Sequence, residues 1–317
     1  MDGLTALLDG PRARGAFVLR CLLDQPWAIR LEDGAPLSVT AVVRGQAWVH
    51  ADGADPVRLD PGDVVVRCDP EPWSMAEPAD APTLAVIEPG QRCVTPDGRS
   101  LDLPLRQGIR SWGTGPTART ELLTGVYEVE GAVGGRLLQS LPPTMVVRRG
   151  ELDTPVVELL AREAAREAPG QEAVLDRMLD LLTITTVRAW FARPDVVAPG
   201  WFRAAADPVV GRALELVHHQ PEQPWTVESL AREVGLSRAA FARRFTEQVG
   251  EPPMAFLTRW RIDLAADLLL DPSMTVGAAA RQVGYATPFA LSAAFKRERG
   301  ISPRDHRRQS LPTVVAG

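Results

Sequence analysis

The sequence has little of the residue types that usually build metal sites and disulfide frameworks. Its 317 residues include only three cysteines and four histidines. Three scattered cysteines are too few for a disulfide framework or a zinc motif, so reduced, buried thiols are the expected state. Four histidines supply little material for metal or acid-base chemistry. We therefore expect no metal and no cofactor.

Long apolar runs are also missing. No stretch approaches the roughly 20 apolar residues that cross a bilayer. The first residues, MDGLTALLDGPRARGAF, lack the charged and apolar regions of a secretion signal. We therefore expect a cytoplasmic protein with no membrane partner. Lysine is nearly absent as well, because Lys296 is the single lysine and nearly every basic residue is arginine.

The residues that are present indicate a soluble chain with two different halves. The length is about twice that of a typical domain, and 45% hydrophobic with 24% charged residues is ordinary for a globular protein. Residues 208–317 carry 14 basic and 11 acidic residues, whereas residues 1–207 carry 21 and 29. A basic part behind an acidic part suggests a polyanion-binding module joined to a domain of another kind.

The N-terminal part reads as β-structure followed by helices. From Phe17 to about Glu130, short runs such as LSVTAVVRG, QAWVHA and DVVVR alternate apolar and polar residues between turn signals, which is typical of a sandwich or barrel. We expect an antiparallel β-barrel. Helical spacing then predicts one helix capped by Thr154 and a second from about Gln171 to Phe191. The wide apolar stripe of the second helix suits either burial or a subunit contact.

A repeat dominates the C-terminal part. TVESLAREVGLSRAAFARRF (226–245) aligns with TVGAAARQVGYATPFALSAAF (275–295) at an offset of 49, which becomes 50 after the turn. Each copy has the pattern of a helix-turn-helix: a short helix, a glycine turn, a hydroxyl N-cap and a second helix. In the first copy Ser229 stands where a capping box has Glu or Gln, so we expect no full box.

This arrangement suits DNA, because a helix fits the major groove and presents the side chains of its first turns to base edges. The linking stretch PMAFLTRWRIDLAADLLL predicts a helix of about 16 residues, roughly 24 Å long. Such a spacer can hold two reading helices about one DNA turn, ~34 Å, apart. One chain is then expected to contact two successive segments of the major groove.

These residues carry a family resemblance. Residues 207–308, with VGYATPFALSAAFKRERGISPRDHRR as the second motif, resemble the AraC/XylS-type transcriptional regulators. The segments GAFVLRCLLDQPWAIRL, VVRGQAWVH and VRLDPGDVVV resemble the cupin-type sensor domain of one branch of that family. The resemblance implies an α+β protein: a cupin-like antiparallel β-barrel plus helices, then an all-α double helix-turn-helix domain. It places a sensor domain with dimerisation helices at 1–200, the DNA-binding domain at 201–310 and a tail at 311–317.

The resemblance also implies function and partners. It predicts a non-enzymatic, sequence-specific transcription regulator that binds double-stranded promoter DNA, works with RNA polymerase, senses an unknown small molecule and forms a homodimer. Arg243 stands where the family faces bases, although a phosphate contact or a solvated side chain is an equal alternative. The outward face of the second unit is short, so that unit is expected to dock on phosphates and read few bases. The predicted DNA-binding residues are Ser237, Arg238, Ala239, Ala242, Arg243, Arg244, Thr287, Pro288, Phe289, Ser292 and Lys296.

The sensor part leaves three hypotheses open. A pocket of tryptophans and arginines would bind an anionic or aromatic effector. A metal-dependent cupin enzyme is a rival, but the barrel contains only His50. A thiol switch is the third hypothesis, because Arg20 and Arg67 adjoin cysteines and a cation lowers a thiol pKa. The pocket candidates are Trp27, Arg30, Arg44, Trp48, Arg67 and Trp73, and the thiol candidates are Cys21, Cys68 and Cys93.

Overall fold

The computed structural model describes residues 18–310, apart from residues 52, 103, 109, 128–131 and 167. The chain divides into two compact units. We call residues 18–127 and 141–197 the β unit. The helical unit comprises residues 132–140 and 198–310. The predicted tail, 311–317, lies outside the described residues.

The β unit contains two sheets of six strands each within the described residues. In chain order the strands are β1 (Leu19–Leu23), β2 (Trp27–Leu31), β3 (Leu37–Arg44), β4 (Ala47–Ala51), β5 (Val57–Leu59), β6 (Val64–Arg67), β7 (Trp73–Glu77), β8 (Ala85–Glu88), β9 (Arg92–Val94), β10 (Ser111–Gly113), β11 (Thr120–Tyr127) and β12 (Thr144–Val147). The strand orders are β10-β1-β11-β3-β6-β12 and β5-β4-β7-β2-β8-β9.

The predicted cupin-like fold is confirmed, with one difference in its closure. The strands form two separate, mixed sheets rather than one closed antiparallel barrel, because β1 pairs with β10 and β2 pairs with β8 in parallel. One apolar cluster draws side chains from both sheets, such as Val42 and Leu122 from one and Ile29 and Met75 from the other. The sheets therefore bury their facing sides against each other.

The turn before β6 shows how local sequence sets a strand boundary. Asp63 donates its backbone N–H to the Asp60 carbonyl (2.9 Å), and Gly62 between them has a φ of +91°. Pro61 suits the preceding position because its ring fixes φ near the value that such a turn needs. Strand β6 begins immediately afterwards, at Val64.

The helices of the β unit are α2 (Val156–Ala164) and α3 (Gln171–Phe191), and they pack on each other. The predicted extent of α3 is confirmed. The predicted cap at Thr154 is wrong, because α2 begins one residue later and the Thr154 hydroxyl donates to the Asp153 carboxylate (3.0 Å). Two adjacent polar side chains thus satisfy each other instead of the helix.

The helical unit consists of short helices around two apolar cores. Its helices are α1 (Ala132–Gln139), α4 (Gly200–Ala205), α5 (Val210–His219), α6 (Val227–Glu233), α7 (Arg238–Val249), α8 (Pro253–Leu268), α9 (Val276–Gln282), α10 (Pro288–Arg299) and α11 (Pro303–Ser310). Helix α8, the predicted spacer of 16 residues, places Leu257 in the first core and Ile262 in the second. It therefore joins the two repeats through shared packing.

Helix α1 was not anticipated from the sequence. It lies between β11 and β12 in the chain, yet it belongs to the helical unit, where it packs on α8. The backbone N–H of Ala132 donates to the Asp267 carboxylate of α8 (2.5 Å). The helical unit is consequently built from two separate stretches of the chain.

Candidate functional site

The turns of the two repeats have the same backbone geometry. Leu236 donates its N–H to the Ala231 carbonyl (2.9 Å), and Tyr285 donates to the Ala280 carbonyl (2.8 Å) in the second copy. The glycines before them, Gly235 and Gly284, have φ values of +71° and +80°. Because this left-handed region disfavours residues with a Cβ, glycine permits both turns. The repeat is therefore two helix-turn-helix units, α6-α7 and α9-α10.

Hydroxyl side chains fix where the helices begin. Ser237 accepts the N–H of Ala240 (3.3 Å) at the start of α7, and Thr287 accepts the N–H of Ala290 (3.1 Å) at the start of α10. At α6, Thr226 accepts from the Ser229 N–H (3.0 Å), and Ser229 Oγ accepts from the Thr226 N–H (2.8 Å). The expectation of an incomplete box is wrong, because the serine hydroxyl is placed where it replaces the usual carboxylate.

The outward side of α7 carries two exposed arginines. Arg238 makes no ion pair with any residue that the structure describes, and Arg243 has only a distant one, 3.9 Å from Glu247. Both partners of that pair are largely exposed, so water screens it and it holds Arg243 weakly. Ala239 is exposed and Ala242 half-buried on the same side, opposite the buried Phe241. Helix α7 thus presents two long cations separated by alanines.

Arg244 is held differently from its neighbours. Its guanidinium contacts the Asp207 carboxylate at 2.6 Å, and Asp207 also accepts the Gln248 side-chain amide (2.7 Å) and the N–H groups of Val209 and Val210. Although burial acts to raise it, hydrogen bonds from Gln248, Val210 and Arg244 hold the pKa of Asp207 well below its usual range. This network was missed from the sequence. It ties α7 to the start of α5 and engages Arg244 within the protein.

The outward side of α10 has a different character. Pro288 and Ala293 are exposed but carry no side-chain donor or acceptor. Ser292 donates its hydroxyl to the Pro288 carbonyl (2.8 Å), so that donor is used inside the helix. Phe289 in the first turn is 86% exposed. Lys296 is exposed near the C-terminal end and makes no ion pair with a described residue.

The six predicted pocket residues of the β unit lie in different surroundings. Trp27 and Trp73 are buried in the apolar cluster between the sheets, and the guanidinium of Arg67 lies 5.8 Å from the Trp73 ring. Arg67 is itself buried and donates to Thr144 (2.5 Å). Arg30 and Arg44 are surface side chains engaged with Glu32 and Glu121 respectively, and Trp48 lies half-buried on β4. Their binding role remains a prediction.

A different set of residues surrounds an apolar cavity of about 230 Å³ in the β unit. Its polar groups largely satisfy one another: the Thr40 and Thr124 hydroxyls lie 3.1 Å apart, and Asp102 accepts the N–H of Cys93 (3.0 Å). Exposed Gln91, Asp102 and Arg106 mark the accessible side. Alternation along the strands can predict which of these side chains point inward, but it cannot predict where the packed side chains leave a cavity. The apolar side chains around it are Leu19, Cys21, Ile29, Leu31, Met75, Ile87, Cys93, Trp112 and Leu122.

The thiols do not have the electrostatic character expected of a switch. Burial raises the pKa of Cys21, of Cys68 and of Cys93 to about 12 in each case. Arg67 does lower the pKa of Cys68, but burial outweighs it. Burial therefore opposes the predicted activation of Cys21 and Cys68 by neighbouring arginines, because desolvation of the thiolate is the larger effect, and the redox role of the cysteines stays a prediction.

The described part of the chain contains no group of three or more His, Cys, Asp or Glu side chains that could hold a metal ion. The same residues include no helix with the length and apolar character needed to cross a membrane.

A chain that contains a cupin-like unit and a double helix-turn-helix unit has the architecture of a DNA-binding regulator. Comparisons with known proteins identify its family. Residues 2–192 match the family model described as Cupin, and residues 230–309 match the one described as Helix-turn-helix domain. An AraC-like transcription regulator of Streptomyces antibioticus is 30% identical over 98% of this chain and 100% of its own length. Its counterpart from Streptomyces lividans is 30% identical over 99% and 100%.

Among solved structures, the DNA-binding domain of the global transcriptional factor AdpA in complex with a target DNA is 33% identical. That likeness covers 33% of this chain and 93% of the other, with a TM-score of 0.31. The family matches and the full-length relatives show that the chain belongs to the AraC-like transcription regulators with an N-terminal cupin domain. It is a DNA-binding transcriptional regulator, and the predicted family and function are confirmed.

Proposed function

We propose that this regulator reads promoter DNA mainly through α7 and responds to a small apolar effector bound in the β unit. The observation that carries the first part is the outward pair Arg238 and Arg243, which no residue in the described part of the chain neutralises at close range. A bidentate arginine to guanine is the commonest specific base contact. The proposal assigns sensing to residues 1–200 and DNA binding to 201–310, in keeping with the matched ranges 2–192 and 230–309.

The remaining predicted contacts follow from position. Ser237 and Thr287 lie at the first turns of α7 and α10, where free N–H groups suit a phosphate. Four residues with side chains that are short or already engaged are expected to let the helices approach the DNA closely, rather than to form hydrogen bonds with bases. They are Ala239, Ala242, Pro288 and Ser292. Arg244 is reassigned from a DNA contact to a positioning role, since Asp207 holds it at 2.6 Å. Lys296 is assigned to a backbone phosphate.

The experiment for DNA binding compares the gene's own upstream duplex with random duplex of equal length, using the full chain at moderate salt. Specific binding to the upstream duplex, weakening as salt rises, is the expected result. Equal affinity for both duplexes would contradict sequence-specific regulation. Helix α8 predicts that the protected region contains two segments about one DNA turn apart.

The effector is proposed to be neutral, mostly apolar and small. The cavity of about 230 Å³ exceeds the ~150 Å³ that holds benzene in an engineered protein. Among the described residues that line it, the Trp112 indole N–H is the buried donor without a hydrogen-bond partner, so an anion or a sugar would lose most of its hydration without compensation. Of the anionic or aromatic effector expected from the sequence, the proposal keeps the uncharged aromatic alternative, and it adds uncharged aliphatic molecules.

The effector proposal is tested by calorimetry and thermal shift of the full chain with toluene, indole, benzoate and arabinose. Toluene or indole should bind, and Leu19→Trp should abolish that binding because Leu19 lines the cavity. The matched control is Arg30→Ala, which changes a residue of the other candidate set that does not line it. Binding lost in Arg30→Ala and kept in Leu19→Trp would move the site back to the first set.

A homodimer is proposed through α3. Val174 and Leu181, two turns apart on that helix, are each 41% exposed, whereas Leu175, Leu179 and Leu182 on the other side are buried. A second copy of the same face would cover both side chains. Sedimentation of Val174→Glu and Leu181→Glu should show monomers at concentrations where the parent dimerises. Val197→Glu, at a residue 86% exposed outside the helix, is the control that should stay dimeric.

We further propose that the protein acts in the cytoplasm, contacts RNA polymerase at the promoter and has no enzymatic activity. A regulator must reach both DNA and polymerase, and the full-length Streptomyces relatives are transcription regulators. Reconstituted transcription with purified polymerase, with and without the effector, tests the polymerase contact. Stoichiometric bound iron, manganese or zinc in the purified protein would instead favour a metal-dependent cupin enzyme.

A further inference from the structure

Phe289 is an exposed apolar side chain on the second helix-turn-helix unit. It is the second residue of α10, directly after Pro288, and it is 86% exposed. A phenylalanine left this open to water gains nothing from folding, because its apolar surface is not buried. The other exposed large apolar side chains in the described part of the chain are Val174 and Leu181, each 41% exposed, and Val197, 86% exposed, and all three lie in the β unit.

The repeat shows which residues of the first unit correspond to Phe289 and its neighbours. At the offset of 50, Phe289 corresponds to Ala239, and Ala293 corresponds to Arg243. The two units therefore carry their long side chains at different positions of this pair. At the earlier position α7 has Ala239 and α10 has Phe289, and at the later position α7 has Arg243 and α10 has Ala293. Both earlier positions belong to the first turn of the helix, the part that faces base edges in a major groove.

The surroundings of Phe289 leave little else to read a base. Pro288 has no N–H, Ala293 has only a methyl group, and the Ser292 hydroxyl donates to the Pro288 carbonyl at 2.8 Å. The Thr287 hydroxyl accepts the N–H of Ala290 at 3.1 Å. The first turns of α10 thus form an apolar surface with one long side chain.

The base edge that matches such a surface is thymine, because its 5-methyl group is the apolar feature of the major groove. We infer that Phe289 contacts a thymine 5-methyl group and makes the second unit select an A·T pair without a hydrogen bond. Lys296, exposed about two turns further along α10, holds the helix on the backbone. This refines the expectation that the second unit only docks, and it rests on the proposal that α10 enters the groove.

The test begins with binding sites selected by the full chain from random duplexes. Deoxyuridine then replaces thymidine one position at a time, which removes only the 5-methyl group. At one position in the α10 segment, the substitution should weaken binding of the parent about threefold to tenfold, as expected for one lost methyl contact. Phe289→Ala should bind the two duplexes equally, and Phe289→Leu should keep part of the difference.

Ser292→Ala is the matched control, because it changes the same helix face at a hydroxyl already engaged with Pro288. It should discriminate deoxyuridine from thymidine as the parent does. Retained discrimination in Phe289→Ala, or insensitivity of the parent at every thymine of that segment, would overturn the inference. So would unchanged site preference in Phe289→Ala together with lost transcription, because Phe289 would then contact a protein. A protected region confined to one segment instead of two would show that α10 does not enter the groove, a failure of the proposed function itself. One conserved segment inside a protected region of two segments would overturn only the inference about Phe289.

Discussion

The two helix-turn-helix units share their interior and differ on their outward sides. Phe241 and Phe245 of α7 correspond to Leu291 and Phe295 of α10, and all four are fully buried. The outward positions have no such agreement, since Arg238 and Arg243 of α7 correspond to Pro288 and Ala293 of α10, and Ala239 corresponds to Phe289. The interior is fixed by packing and the glycine turns, whereas the outward residues are not held by that packing. The same fold thus presents two different outward surfaces.

Their turns differ as well, although both use a left-handed glycine. A Cβ on Gly235 would meet nothing within 4 Å. At Gly284 it would lie 2.7 Å from the Glu222 carbonyl oxygen and 2.8 Å from the Arg261 guanidinium. Arg261 itself donates to the carbonyls of Pro221 and Gln223, each at 2.7 Å. The second turn is therefore packed against the chain that precedes the first unit.

The largest expected effect follows from this difference. Gly284→Ala should lower the free energy of unfolding of the helical unit by about 3 kcal/mol, from left-handed strain together with overpacking. Gly235→Ala should cost only the strain, about 1 kcal/mol. Denaturant unfolding of the two full-length variants measures both. Equal losses would mean that the second turn is not more tightly packed than the first.

The next prediction tests whether Arg243 contacts a base or only the phosphate backbone. Arg243→Ala should weaken binding to the selected duplex by about 1–3 kcal/mol and leave binding to random duplex nearly unchanged, so that the protein loses most of its sequence preference. Fluorescence anisotropy titrations with both duplexes at one salt concentration measure this. A uniform loss on both duplexes would assign Arg243 to a phosphate, which was the alternative left open by the sequence.

Asp207 provides a smaller effect on stability with a definite pH dependence. Its carboxylate is stabilised in the folded state, so its contribution is present above the unfolded pKa of about 4 and is lost as the pH falls below that value. Asp207→Asn should cost roughly 1–2 kcal/mol at pH 7 and should flatten the loss of stability below pH 4. Urea unfolding of parent and variant at pH 7 and pH 3.5 checks both expectations. A difference between the proteins that stays constant with pH would contradict the network.

Lys296→Ala should have the smallest effect. It should weaken binding to the selected and the random duplex alike by about threefold and reduce the slope of log affinity against log salt by about one. A loss confined to the selected duplex would mean that Lys296 contacts a base, and that the roles of base contact and phosphate contact are assigned to the wrong residues. Salt titration of the two duplexes gives the answer.

Local patterns predicted much of this fold because their causes are local. The glycines of the turns, the hydroxyl caps at Ser237 and Thr287 and the span of α8 follow from conformational preferences of neighbouring residues. The pairing of Asp207 with Arg244, the placement of α1 beside α8 and the position of the cavity depend on residues distant in sequence. No periodicity contains that information. The raised thiol pKa values were missed for the same reason, since burial is a property of the packed state.

The central claim, that the two units contact DNA in different ways, is tested most directly by selecting binding sites from random duplexes with the parent, Arg243→Ala and Phe289→Ala. The account predicts two conserved segments for the parent. Arg243→Ala should lose a guanine preference in the α7 segment, and Phe289→Ala should lose a thymine preference in the α10 segment, each without changing the other. Loss of both preferences in either variant, or of the same preference in both, would contradict the account.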